Sequence, residues 1–207
     1  SWRRYTFCKS WLLIFMDKDE FLLKRIRELA NLSYQRDIVT FTDFLNLNEQ
    51  NMLATLKLRQ MGVSVKLFGG YDHAERQMAA FYPGTVGFSW EYPIDCLKIT
   101  PKALRFSEEL GHRDYLGAIL NLGVDRSVVG DILIKDKEAW VFCLHKMSDF
   151  FIDNLVRVRH TTVLVTRVEQ AEEIPEPQFE AISGTCASVR LDSLIGLAFQ
   201  TSRSSMV

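Results

Sequence analysis

The run LGHRDYLGAILNLGVDRSVVGDILIK, residues 110–135, holds a helix, its stop, a polar turn and the strand that follows. From His112 the apolar residues Leu116, Ile119 and Leu120, flanked by Tyr115 and Leu122, keep the i, i+3, i+4 spacing of a helix with one buried face. Gly123 ends it, because glycine accepts the left-handed conformation that helix ends favour. Gly117 in mid-helix costs about 1 kcal/mol relative to alanine, which predicts close approach of the helix backbone to a sheet. Asp125, Arg126, Ser127 and Gly130 form a polar connection, and residues 131–135 alternate as a strand.

The same pattern extends on both sides. A strand is expected at 96–100, the helix at 112–122, strands at 131–135 and 139–144, a helix at 146–156 and a strand at 161–168. That order is βαββαβ, the split pattern of a ferredoxin-like or RRM-like domain over residues 85–168. In the second helix Met147, Phe150, Phe151, Asn154 and Leu155 trace one face. The strand at 139–144 carries Trp140, Phe142 and Leu144 on one side and Ala139, Val141 and Cys143 on the other. Both sides are apolar, so the sheet is expected to be covered on both faces, the second by the N-terminal region. Trp140 and Phe142 are therefore read as core rather than as an open base-stacking platform.

Upstream, residues 17–34 read as an amphipathic helix through Leu22, Ile26 and Leu29. Thr42, Asp43 and Phe44 read as a turn, Asn48 as the cap of a helix to Arg59, residues 64–68 as a strand, and 74–81 as a short helix. Residues 16–84 would form an N-terminal helical α/β domain, with 1–15 an extension outside it. The overall class is α+β.

The chain of 207 residues is 47% hydrophobic and 25% charged, the make-up of a globular protein. The apolar run near the N-terminus is too short to cross a bilayer, so no membrane partner is expected and the location is expected to be cytoplasmic. Cys8, Cys96, Cys143 and Cys186 are scattered without paired spacing, which predicts reduced, mostly buried thiols. A net charge of -1 hides a segregation, since residues 169–180 carry five glutamates and no lysine or arginine. The remainder is net positive, which permits an RNA-binding surface. Residues 169–184 read as an acidic linker with Pro175 and Pro177. Residues 185–207 begin a further helical module.

Chemistry-bearing motifs are few. HRD at 112–114 lacks the DFG and glycine-rich loop of a kinase and opens a helix. RLD at 190–192 echoes pseudouridine synthases, and KMSDF at 146–150 echoes class I tRNA synthetases, but neither continues as those enzymes require. GGYDHAER at 69–76 has the strand end, two glycines and helix start that can cradle a phosphate with backbone N–H groups, without the lysine of a P-loop. The bland alternative, a tight turn with Arg76 paired to an acid, is equally compatible. His73, His112, His145 and His160 have no metal spacing, and no metal or cofactor is expected.

Gly69-Gly70-Tyr71 with Ala74-Glu75-Arg76, His112 through Leu120 with Leu122-Gly123, Arg126 and Gly130-Asp131, and Arg190-Leu191-Asp192 with Ser202-Arg203-Ser204 resemble the bacterial YlmH family. The resemblance covers residues 17–207. It implies an RRM-like central domain and a C-terminal module of the type named after small-subunit ribosomal protein four, an S-four domain, of which residues 185–207 would be a part. It also implies a non-catalytic RNA-binding factor on the large ribosomal subunit in quality control of stalled translation, with rRNA or tRNA as ligand. Arg190, Ser202 and Arg203 would contact RNA in the S-four module, with Arg76, Arg113 and Arg126 as candidates in the body. The competing expectations are a protein-interaction adaptor in cell division and an RNA-modifying enzyme using Asp114 or Asp192.

Overall fold

The computed structural model of the chain describes residues 6–84, 89–170 and 173–175, with side chains from Lys18 onward. One compact unit ends at Pro175. The acidic residues beyond it and the segment expected to begin an S-four module, with Arg190, Ser202 and Arg203, lie outside the described residues.

The first helix, α1 (Thr6–Arg36), starts well before the expected residue 17 and runs without a break past Met16. Ile26, Leu29 and Ala30 bury its inner stripe against a three-stranded antiparallel sheet of order β1-β3-β2. Strand β1 (Thr40–Leu45) holds the residues expected to turn at 42–44. They form an irregularity inside a strand, where the register against β3 shifts between Phe41 and Phe44 and the Thr42 hydroxyl accepts from the Ala79 N–H at 2.9 Å. A bulge of this kind uses turn-forming residues without ending the pairing.

Helix α2 (Leu47–Thr55) is capped by Asn46, not Asn48. Glu49 N–H donates to Asn46 Oδ1 at 2.9 Å and Asn46 N–H donates to Glu49 Oε2 at 2.7 Å, a reciprocal box that the sequence spells as Asn-x-x-Glu. A 3₁₀ turn at Leu58–Met61 follows and stops at Gly62, φ 73°, as the glycine implies. Strand β2 (Val63–Phe68) agrees with expectation, but residues 74–81 are not a helix. They supply β3 (Gln77–Pro83), the central strand, with Met78, Ala79, Ala80 and Phe81 all buried. A strand buried on both faces has no period of two, so its short apolar run was ambiguous.

A five-stranded antiparallel sheet of order β5-β6-β4-β8-β7 follows. Its elements are β4 (Ile94–Pro101), α3 (His112–Leu120), β5 (Val129–Lys135), β6 (Glu138–Leu144), α4 (Ser148–Asn154), β7 (Arg157–Val158) and β8 (Thr161–Arg167). Ala139, Val141 and Cys143 join Tyr115, Ile119, Phe151 and Leu155 in the core beneath the two helices. Phe150, expected inside, is exposed, and α4 is shorter than the expected helix at 146–156.

Trp140, Phe142 and Leu144 face the other way, as their alternation requires, and pack with Phe44 and Met78 of the three-stranded sheet. Tyr71 stacks on Phe142 with ring centroids 4.9 Å apart. Trp140 is 4% and Phe142 1% exposed, so both are core. Burying Phe142 contributes about 1.5–3 kcal/mol, whereas Trp140 buries its indole N–H without a partner among the described residues and so gives back part of its gain.

Candidate nucleic-acid interface

The glycine turn at 69–76 has the N–H geometry expected of an anion cradle, and the protein fills it with its own carboxylate. Asp131, on β5, accepts from Glu75 N–H at 2.7 Å, Arg76 N–H at 3.1 Å and Tyr71 O–H at 2.9 Å. Burial, and then the hydrogen bond to Asp131, raise the Tyr71 phenol well above its ordinary range, so it remains a donor. Gly70 lies at φ 103° with the Phe142 ring where a Cβ would be, 2.3 Å away, so only glycine fits this approach.

Two expected RNA-contacting arginines point into the same joint. Arg76 donates from Nε to Val129 O at 3.2 Å and from Nη2 to Phe44 O at 3.0 Å. Arg126 donates from Nη1 to Gly130 O at 3.1 Å and to Val129 O. Burial lowers the Arg76 guanidinium from its ordinary value despite the nearby Glu49 charge, and burial together with the Arg76 charge lowers Arg126 to about 10. Both stay cationic at neutral pH, and their heads tie β1, β3 and β5 together. The guanidinium of Arg76 bonds backbone carbonyls rather than the acid that the bland reading gave it.

Arg113 is different. It lies exposed at the start of α3, on the rim of a groove of about 550 Å3 between α3 and the α4–β7 segment. Arg157 and Arg159 line the same groove and are also exposed, with Asn121 and Asn154 between them. The sequence reading passed over both arginines; the alternating basic run Arg157-Val158-Arg159-His160 was the signal for them. Asp114 accepts from Gly111 N–H at 2.9 Å, which steadies the first turn of α3, and pairs with Arg159 at 3.3 Å. Arg159 is held at φ 51°, in the left-handed region that a non-glycine residue rarely occupies. Gly117 lines this groove with nothing within 4 Å of a built Cβ, which corrects its expected role of close packing on the sheet. A concave surface with three guanidinium groups and two carboxamides suits a phosphate backbone, whose oxygens accept from all of these groups.

Catalytic arrangements are poorly supported by the geometry. Among the described residues no group of three His, Cys, Asp or Glu could hold a metal ion. Cys96 and Cys143 are free and buried, as expected, and burial pushes both thiols up to about 12. Asp95, His145 and Ser148 cluster, but Ser148 O–H donates to Asp95 at 2.6 Å, and His145 Nδ1 also lies on that carboxylate, at 3.0 Å. The Ser148 hydroxyl thus faces a weakly basic carboxylate instead of the imidazole, and with Arg167 Nε 3.0 Å from Asp95 the cluster ties β4, α4 and β8. Asp114, raised above as a possible catalytic acid, is committed to the turn and to Arg159.

Burial raises the Asp95 carboxyl, but the bonds from Ser148 and His145 and the His145 and Arg167 charges outweigh it and leave it below the ordinary aspartate value. A carboxyl held low in the fold contributes stability that is present above its unfolded pKa of about 4 and is lost as pH falls through the lower folded value. Asp95→Asn is therefore expected to cost about 1–3 kcal/mol at pH 7. Thermal melts from pH 7 down to 2 should show the two proteins converging below about pH 4. Parallel melting curves over that range would remove Asp95 as the source.

No described helix is long and apolar enough to cross a membrane. Residues 90–172, which carry the arginine groove, match the family model described as "Putative RNA-binding domain in YlmH". Over 175 residues, 78% of this chain, the sequence is 27% identical to the "Ribosome-associated protein quality control protein P2" of Bacillus subtilis (strain 168). The match covers 63% of that relative, so the chain spans less than two thirds of its length. The fold is similar to that of the "Cell division protein ylmH from Streptococcus pneumoniae", with a TM-score of 0.57 and 24% identity over 78% of this chain and 93% of that one. The domain match over residues 90–172, the curated relative and the shared fold together support the YlmH family for this chain.

Proposed function

We propose that the protein is a non-catalytic RNA-binding factor that docks on ribosomal RNA of the large subunit during quality control of stalled translation. The observation that carries this reading is the groove of Arg113, Arg157 and Arg159, which falls inside the segment matched as an RNA-binding domain. The name of the Bacillus subtilis relative supports the ribosome as the setting. The sheet order β5-β6-β4-β8 and the helices on one face support an RRM-like domain whose second face has been given to the N-terminal region. The phosphate backbone is therefore met by the helical side, and the buried Trp140 and Phe142 rings are not offered for stacking. Arg190, Ser202 and Arg203 of the S-four segment would add a second contact, and rRNA and tRNA present the same phosphate chemistry to both.

Co-sedimentation with purified large subunits tests the proposal. Association is expected at low salt and should weaken as potassium chloride rises, since each phosphate contact releases counterions. Absence of association at the lowest salt would sink it. Salt-insensitive capture of a division protein, with no RNA bound, would favour the adaptor reading instead.

A further inference from the structure

A second concavity, of about 760 Å3, opens between the three-stranded sheet and β4, and the arginine groove has no part in it. Phe68 on β2, Tyr82 on β3, and Trp90 and Tyr92 in the connection to β4 line it, all half-buried. Trp90 is the hub, its ring centroid 5.5 Å from Tyr82 and 5.2 Å from Tyr92. Tyr92 in turn lies 5.3 Å from Phe68, and its hydroxyl donates to the Lys66 carbonyl at 2.7 Å, which fixes the ring. These rings meet at 43–61°, tilted or edge-on rather than stacked face to face, and Phe41 backs Trp90 at 5.8 Å and Tyr92 at 5.6 Å.

Charged groups lie around them. Lys66 stands exposed on one wall, and Glu91 and Glu169 stand exposed on the others. Asp95 also reaches the cleft, but its carboxylate is already bound to Ser148, His145 and Arg167. An occupant can be chosen by asking which chemistry uses every group. A cationic side chain would use the rings and the glutamates, yet it would meet the Lys66 ammonium. An apolar peptide would use the rings and leave three charges without partners. A nucleotide uses all of them: the base stacks on an aromatic face, its Watson–Crick donors meet a carboxylate, and its phosphate meets lysine. Among the RNA bases guanine alone presents two adjacent donors, N1–H and the N2 amine, to the two oxygens of one carboxylate. The volume is that of an ordinary small-ligand site.

We propose that this cleft holds a guanine nucleotide, its base against Trp90 and Tyr92, its Watson–Crick edge on Glu91 or Glu169, and its phosphate toward Lys66. The source is either an unpaired guanosine of RNA, in which case the inference rests on the RNA-binding reading, or a free guanine nucleotide.

The test uses the full chain, a fluorescein-labelled uridine heptamer with a single central guanosine, the same strand with adenosine there, and GMP. The guanosine strand should bind about tenfold tighter than the adenosine strand. Trp90→Ala should weaken the guanosine strand by about tenfold, the loss of one base stack, and Trp90→Phe should retain most of the binding. Glu91→Gln with Glu169→Gln, both at exposed positions, should erase the preference for guanosine without weakening the adenosine strand. GMP taken up in a Trp90-dependent way identifies the free nucleotide as a source, and uptake of the strand without GMP identifies RNA. Equal binding of both strands, or a preference that survives the double glutamine variant, overturns the proposal, as does displacement of the guanosine strand by an arginine-rich peptide that binds through Trp90. If the chain binds duplex RNA and large subunits but shows no guanosine preference, the cleft assignment fails alone. If it binds neither yet takes up GMP through Trp90, the ribosome reading fails and the cleft assignment stands.

Discussion

Asp131→Ala is expected to lower the melting temperature by roughly 6–12 °C, the equivalent of about 3 kcal/mol in a chain of this size. Three donors converge on this carboxylate, two of them backbone N–H groups in a glycine turn. A buried donor left without a partner costs about 1–3 kcal/mol, and Glu75 is exposed enough for water to recover part of its share. Arg76 and Arg126 sit beside the lost charge in a half-buried joint, so removing the carboxylate also leaves two cations less compensated. Tyr71→Phe deletes one of the three bonds and should cost only about 1 kcal/mol. Differential scanning calorimetry of both variants checks the order. A carboxylate that merely decorated the surface would give two equal and small shifts.

This joint also shows where sequence reasoning reaches its limit. The turn at 69–76 was legible as an anion cradle because glycines and successive N–H groups have a local signature. What fills it was not, since Asp131 is more than fifty residues away and pairs with it only once both sheets have formed. Arg76 and Arg126 were kept as RNA-contact candidates for the same reason: nothing local separates an arginine that meets solvent from one that meets carbonyls across a joint. Four strands of the five-stranded sheet were legible because β4, β5 and β8 alternate between turns, and the two-sided apolar pattern of β6 announced a covered second face. The three-stranded sheet was read poorly. Its central strand is buried on both faces, and its first strand carries a bulge made of turn residues. Arg157 and Arg159 were passed over although the basic run at 157–160 names them, because β7 is two residues long and gives no strand pattern to place them on a groove.

The combined variant Arg113→Ala, Arg157→Ala, Arg159→Ala is expected to weaken binding to large subunits by about 100-fold at physiological salt. Each guanidinium makes a charge-assisted bond to phosphate, and losing one contact should reduce the slope of log affinity against log salt by about 1. The triple variant should therefore lose roughly 2–3 units of slope, which a nonspecific loss of fold would not produce in so regular a way. Stability should change little, because all three side chains are exposed and the Arg159–Asp114 pair is a surface pair worth at most about 1 kcal/mol. Lysine at the three positions keeps the charge and loses the planar fork, so it should restore most of the slope but only part of the affinity. Arg76→Ala and Arg126→Ala supply the opposite pattern, a loss of stability at an unchanged salt slope, because their heads bond carbonyls within the fold. Titrations with large subunits at four salt concentrations, beside thermal melts of each variant, separate the two classes. An unchanged slope in the triple variant would move the RNA contact away from the helical face and toward residues 185–207, the segment proposed to belong to an S-four module.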